Sequence, residues 1–511
     1  MKLASLTETT LKPPRRAWAP GLLAGVWLLT TPAHGQAEPA GATPPPANGA
    51  TVTAADADPT IHVLDELRPT PSGLTSDVAG RRAAATSFAV AQQNEALEAA
   101  AAKVDQSFQA FLPKLRTSAG MYLVDITNPP SLGTVVIDTA GPGPATAAQL
   151  AAGNLKAISL ALPTTLGSYL LQATISVPIS DYFLRLGDSY AAATDARDAA
   201  RYDLASARSA SSASARVAFY TWLRALGAVV VSREALNDQK THLGLARSQY
   251  DAGRASKIDV LRAETDVASA ELALEQAKNL SELSQKQVRI AIHARDEETL
   301  HPGESLDGTM PPVGGSLRAL EDEALGKRAD IKSLTATAAA AREQARATRN
   351  AAYPSLSASG NAIAANNDSG SLGPTSNWIG VFYVGANLTW SPNESWTQAT
   401  AGSEASHRAA ALDAQLAQLK DSIEVEVTQD WQNVRLADFS IGTAERELAS
   451  AEEGYRVAKE LWTNGRATSS DLTDAETDLT RARLDLLNAR VNARVSRVQL
   501  AHALGRDLTA P

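Results

Sequence analysis

Residues 250–266 read Tyr250-Asp251-Ala252-Gly253-Arg254-Ala255-Ser256-Lys257-Ile258-Asp259-Val260-Leu261-Arg262-Ala263-Glu264-Thr265-Asp266. Residues 462–478 read Trp462-Thr463-Asn464-Gly465-Arg466-Ala467-Thr468-Ser469-Ser470-Asp471-Leu472-Thr473-Asp474-Ala475-Glu476-Thr477-Asp478. The two stretches align at an offset of 212 positions, repeating Gly-Arg-Ala and Ala-Glu-Thr-Asp intact and setting Asp259 against Asp471. A second match pairs Phe111-Leu112-Pro113-Lys114-Leu115 with Ala352-Tyr353-Pro354-Ser355-Leu356. The chain is therefore a duplication, and each half runs helix, Pro, strand, loop, strand, long helix, Gly-Arg turn, helix.

The helices set the scale. Asp181 to Gln249 has no Pro and only Gly187, Gly227 and Gly244, and Asn393 to Thr463 also has no Pro. At 1.5 Å per residue such a run extends about 100 Å, so it needs lateral partners along its whole length. After each Gly-Arg turn the partner appears as heptads: Leu472, Leu479, Leu486, Ala493 and Leu500, and Val260, Val267, Leu274, Ser281 and Val288. Ala475, Ala482 and Ala489, matched by Ala263, Ala270 and Ala277, form a second seam of small residues. A seven-residue repeat with one small seam predicts close antiparallel coiled-coil packing across each turn.

Between the helices lie strand pairs. Leu171, Ala173, Ile175, Val177 and Ile179 alternate with polar residues, and so do Phe382, Val384, Ala386, Leu388 and Trp390. Their partners fall near Leu115–Leu123 and Leu356–Ala364, with long loops over about Ile126–Thr165 and Asn366–Asn377 between. The alternatives are an ordinary soluble hairpin with a buried face and a membrane β-barrel, and the clustering of Trp378, Trp390 and Trp396 at the strand ends favours the barrel with its aromatic girdle. Four strands do not close around a pore, so several chains would share one barrel.

The 511 residues carry no Cys and a net charge of -9. The first fact excludes disulfides, thiolate metal sites and lipidation on cysteine, and the second argues against a general nucleic-acid binder. Lys12, Arg15 and Arg16 before an apolar stretch, with Ala33-His34-Gly35 as a cleavage site, read as a signal peptide over residues 1–35. Residues 36–76, rich in Pro and Ala, read as a flexible leader. The rest divides into a first repeat over 77–295, a linker region over 296–330 and a second repeat over 331–511.

This order of motifs resembles the TolC family of outer-membrane efflux and secretion ducts, over nearly the whole chain from about residue 77. The helix end at Phe111-Leu112-Pro113, the segment Ser316 to Asp330, the helix end at Tyr353-Pro354 and the two aromatic-x-x-Gly tips carry the resemblance. It implies a mostly α protein with a membrane β-barrel: a homotrimer with four strands per protomer in a shared 12-stranded barrel, above a long coiled-coil helical tunnel in the periplasm. Residues 296–330 would belong to an equatorial region. The resemblance implies no cofactor or metal, and contact with outer-membrane lipid, a periplasmic adaptor and an inner-membrane pump.

It also implies site residues. Gly253, Arg254, Ser256, Gly465, Arg466 and Thr468 fall at the tips where an adaptor would dock. The family's closed entrance is held by an aromatic hydroxyl, an arginine and a carboxylate. Asp259 matches the carboxylate, Trp462 stands at the aromatic position with only an indole donor, and Arg466 comes one residue early. Asp471 and Asp474 match the paired aspartates of the narrowest point, where threefold symmetry would gather six carboxylates. The alternative for Asp471, as for Asp259, is that it caps the helix after the turn.

Enzyme readings find no support: the seven His are scattered, and no His-Glu-x-x-His, Gly-x-Ser-x-Gly or phosphate loop occurs. The expected function is the passive exit duct of a tripartite efflux or type I secretion system. The competing reading is an exported structural coiled-coil protein without a pore.

Overall fold

The computed structural model describes residues 69–123, 131–138, 147–153, 155–161, 167–295, 297–308, 310–366 and 378–508. The expected signal peptide and the first part of the leader lie outside the described residues. Two helices, α1 (Ser76–Thr86) and α2 (Phe88–Gln109), lead into β1 (Lys114–Leu123). Then come β2 (Ser131–Asp138), α3 (Ala147–Ala151), β3 (Leu155–Ala161), β4 (Gly167–Val177), α4 (Asp181–Leu184), α5 (Leu186–Asp251) and α6 (Lys257–Ala291). The second half holds α7 (Leu317–Lys327), α8 (Ala329–Asn350), β5 (Ser355–Asn366), β6 (Trp378–Thr389), α9 (Pro392–Thr463) and α10 (Ser469–Ala503).

Helix α5 has 66 residues and α9 has 72, while α6 and α10 have 35 each. Pro392 starts α9 at a first-turn position, where its missing N–H leaves no bond unmade. The heptad positions of α10 do what the sequence predicts: Leu472, Leu479, Leu486, Ala493 and Leu500 are all buried. Burying a leucine stabilises by about 1.5–3 kcal/mol, so this seam is a large share of what holds the helices together. On α6 only Val260 and Val288 of the equivalent set are buried, because α10 lies between α5 and α9 whereas α6 packs chiefly on α5.

Four strands form one antiparallel sheet in the order β1-β4-β5-β6, and β2 pairs with β3 in a separate hairpin. Each sheet strand adjoins a helix in sequence: α2 before β1, α4 and α5 after β4, α8 before β5, and α9 after β6. The helices keep the lateral order of the strands, for α2 packs on α5, α5 on α8, and α8 on α9. Nearer the Gly-Arg turns the order is α6, α5, α10, α9. Between these levels a core of Phe219, Trp222 and Leu223 from α5 meets Val288 and Ile292 from the α6 end and Leu487 and Val491 from α10.

Three details depart from the sequence reading. The single helix expected to end at Pro113 is broken at Ser87, whose hydroxyl accepts from Ala89 N and starts α2. The first outer loop contains the β2–β3 hairpin, consistent with the β-branched run Thr134-Val135-Val136-Ile137. The leader expected to run to residue 76 is already tied down at Leu74, which donates to His301 O and accepts from Gly303 N, both at 2.8 Å.

Candidate functional site

The sheet has two chemically different faces. Residues opposite one another across antiparallel strands share a face. One set of rows is Leu115, Ile175, Gly360 and Val384, then Thr117, Ala173, Ala362 and Phe382, then Ala119, Leu171, Ala364 and Gly380. The other is polar at the row Arg116, Thr174, Asn361 and Tyr383 and mixed further along, at Ser118, Gln172, Ile363 and Val381. In the polar row the Thr174 hydroxyl donates to Asn361 Oδ1 at 2.8 Å. The apolar face stands bare on the outer strands: Leu115 is 72% exposed, Phe382 73% and Val384 71%. Among the described residues, edges β1 and β6 have no partner strand, and a long apolar open edge is unstable in water. Trp378, Trp390 and Trp396, all exposed, stand at or just beyond the ends of β6. No helix among the described residues is long and apolar enough to cross a membrane.

At the far end of the helices the two Gly-Arg turns are built alike. Gly253 and Gly465 both adopt φ +71°, the left-handed conformation that ends a helix. Arg254 N donates to Gln249 O, and Arg466 N to Leu461 O, each at 2.8 Å. Gly253 N reaches Tyr250 O and Gly465 N reaches Trp462 O, each at 2.9 Å, which completes a Schellman closure at both turns. Ser256 and Thr468 then cap α6 and α10, with Asp259 and Asp471 as the reciprocal partners of two capping boxes. The repeated motif is thus a complete helix stop and start; Arg254, Ser256, Arg466, Thr468 and Asp471 remain exposed, and Asp259 is half-buried.

The residues carried over for the entrance are not brought into one cluster. Asp259 Oδ2 accepts from Ser256 N at 2.9 Å and from its hydroxyl at 2.7 Å. Asp471 makes the same pair of bonds with Thr468, at 2.8 and 2.7 Å. These bonds hold both carboxyls below the usual aspartate range. Trp462 is buried, packed among Ala246, Val260, Ala263 and Leu472 and edge-on to His242 at 5.1 Å. Arg466 is exposed, and Asp474 lines a groove of about 370 Å³ between α6 and α10 with Leu261, Arg262, Thr265 and Thr473.

The sequence reading passed over a buried polar group at the same end. His242 Nδ1 lies 3.1 Å from Glu476 Oε2, His242 Nε2 lies 3.2 Å from Ser469 Oγ, and Gln239 Nε2 donates to Glu476 Oε2 at 3.0 Å. His242, Ser469 and Glu476 are each 5% exposed or less. The signal was there: His242 stands eleven residues before Gly253, and Glu476 eleven after Gly465. Two antiparallel helices at equal distance from aligned tips share a level.

The outer membrane efflux protein model matches residues 79–292 and 320–506. The chain belongs to that family, the TolC-like channels. It is therefore an outer-membrane efflux channel with a helical periplasmic portion, and not an enzyme. The outer-membrane channel OprN is similar in structure, with a TM-score of 0.68 at 17% identity, over 88% of this chain and 97% of that one. The Campylobacter jejuni CmeC outer membrane channel gives 0.66 at 16% identity, over 90% and 94%. The open state of the Neisseria gonorrhoeae MtrE outer membrane channel gives 0.64 at 18%, over 85% and 91%. At these identities the likeness concerns the fold. No curated protein matches the chain by sequence.

Proposed function

We propose that three copies of the chain form one continuous duct, each adding four strands to a twelve-stranded barrel and its helices to a tunnel below. TolC-like channels are trimeric. The observation that carries this reading for the present chain is a match between its two open helical edges. Helix α6 exposes Ile258, Leu261, Leu272, Leu280, Leu283 and Ile290, while α9 exposes Val457, Phe439, Leu436 and Val425. Leu261 lies eight residues after Gly253 and Val457 eight before Gly465; Leu283 lies 30 after, and Leu436 and Phe439 lie 29 and 26 before. Ile290 lies 37 after and Val425 40 before. At 1.5 Å per residue both edges carry apolar groups at about 12, 40–45 and 55–60 Å from the tips, while Leu272, at about 28 Å, has no exposed large apolar counterpart on α9. One copy's α6 edge is complementary to the next copy's α9 edge, as its β1 edge is to the next β6.

In this assembly the apolar rows of the sheet face lipid and the polar row with Arg116 and Tyr383 faces the lumen. The tips, with Gly253, Arg254, Ser256, Gly465, Arg466 and Thr468, meet a periplasmic adaptor that links the duct to an inner-membrane pump. The duct serves as the passive exit of a tripartite efflux or type I secretion system. Asp471 and Asp474 form the negative constriction, and Asp259, Trp462 and Arg466 border it. Asp471 has a second duty in its capping box, so Asp474 is the residue that reports on the constriction alone. The test is recording from the purified protein in planar bilayers. Block by divalent cations from the periplasmic side falls in Asp474→Asn and falls further when Asp471→Ala is added. Unchanged block in both variants refutes the constriction, and a soluble periplasmic monomer refutes the duct.

A further inference from the structure

The two helical hairpins of one chain, α5–α6 and α9–α10, meet along α5 and α10. Near the tips, two polar contacts between the hairpins are solvent-exposed. Arg262 Nη1 reaches Ser470 Oγ at 3.3 Å, and Gln249 Nε2 reaches Thr463 O at 3.5 Å. Exposed bonds of this kind exchange readily with water and hold little.

The His242 group differs in being sealed. His242 is 1% exposed and Glu476 4%, so a half-broken pair would leave a polar or charged group stranded in a dry seam. Around it, α5 contributes Asp238 and Gln239; α6 contributes Asp259; α9 contributes Tyr455, Lys459 and Trp462; and α10 contributes Ser469 and Arg483. The closed arrangement is also under-satisfied. Gln239 Oε1 and Arg483 Nη1 have no hydrogen-bond partner, although Arg483 Nη1 stands 3.5 Å from Asp238 Oδ2. Burial pushes the Asp238 carboxyl up, Arg483 pulls it down, and the charge of Glu476 pushes it up again. Tyr455 is likewise pushed up by burial, then by Asp238 and Glu476. Parting the hairpins lets water reach all of these groups at once. Ser469, His242 and Glu476 stand in the order of a hydrolase triad, but the imidazole and carboxylate are closed off from any substrate, so the arrangement positions helices.

We propose that the His242–Glu476 pair is the internal latch of the channel entrance, holding the α9–α10 hairpin on the α5–α6 hairpin until the seam is wetted and the two part. The gating consequence rests on the duct reading above; the latch itself does not.

Because the chain has no Cys, Thr265→Cys with Thr473→Cys gives a clean reporter across the groove between α6 and α10. In the purified full-length protein, a short bismaleimide joins the two thiols in high yield. His242→Ala and Glu476→Ala lower the yield about tenfold, the scale of losing a hydrogen bond to a charged group. His242→Asn restores much of it, since its amide donor replaces Nδ1. Conductance in planar bilayers rises severalfold in the alanine variants and returns towards native in His242→Asn. Helicity by circular dichroism stays native throughout; should His242→Ala fail to fold, His242→Leu, which fills the space without a polar atom, provides the same comparison. Native cross-linking and conductance in both alanine variants overturn the latch. Reduced cross-linking with no conductance from any variant, native included, supports the latch and overturns the duct.

Discussion

Gly253 and Gly465 have the same φ of +71° and the same surroundings: a Cβ built on either would meet nothing within 4 Å. Glycine is needed at the tips for backbone conformation and not for space. Gly253→Ala and Gly465→Ala should each cost about 1 kcal/mol, the strain of a left-handed alanine, without disturbing the packing of α5, α6, α9 or α10. Urea denaturation measures the loss, and asparagine at either site should recover part of it.

Gly402 is the opposite case. It lies within α9, where an added Cβ would come 2.7 Å from Arg349 Cβ and 2.8 Å from its Cα. The close approach of α8 to α9 depends on the absent side chain. Gly402→Ala should destabilise by about 1–3 kcal/mol through overpacking, and Gly402→Leu by more. The same denaturation series that leaves the tip variants mildly affected separates this one.

The tip caps give a pH-dependent expectation. Ser256→Ala and Thr468→Ala should each cost about 1 kcal/mol of helix stability. The hydrogen bonds from Ser256 and Thr468 hold Asp259 and Asp471 below the usual aspartate value. A carboxylate with a lowered folded-state pKa stabilises fully above about 3.9 and loses that contribution as pH falls through the lowered value. The difference in melting temperature between native and Ser256→Ala protein should therefore be constant above about pH 5 and shrink below it.

Much of this was legible in one sequence because helix stops, caps and heptads are local. Gly253, Ser256 and Asp259 are within seven residues, and each has one physical job that their spacing names. Leu472 to Leu500 declared a buried seam because α10 has a neighbour on both sides. The same periodicity overstated burial on Leu274 and Ser281, because periodicity does not say how many partners a helix has. The direction of Trp462 is not legible for a related reason: an aromatic residue near a turn can point to solvent or into the seam, and here it packs on His242. The His242–Glu476 pair spans 234 positions and two hairpins, so only alignment of the tips would have brought it into view.

Glu323 ties α7 to the chain's end. Arg506 Nη2 donates to its Oε2 and Lys327 Nζ to its Oε1, both at 2.9 Å. Those bonds, Arg506 first, bring the carboxyl down to about 2. Its contribution to stability is present above about pH 4.3 and is lost between there and about 2. Glu323→Gln should lower the melting temperature at pH 7 and converge with native protein near pH 2. Parallel curves over the whole range would show that the pair contributes nothing.

The two edges of the helical layer separate folding from assembly. Leu479 is 2% exposed in the α10 seam, so Leu479→Ala should destabilise the chain itself by about 2–5 kcal/mol. Phe439 is 71% exposed on α9, and Leu283 is 54% exposed on α6. Replacing either by Glu touches no packed side chain within the protomer. It would, however, place a charge in the interface between copies, where an unpaired charge is costly. Phe439→Glu and Leu283→Glu should therefore keep native helicity as monomers while the heat-modifiable trimer band disappears on mild-detergent gels. Phe439→Lys with Leu283→Glu brings opposite charges to within about 6 Å of the same height on neighbouring copies and should restore part of the trimer. A trimer unaffected by either single Glu would mean that copies meet along other surfaces.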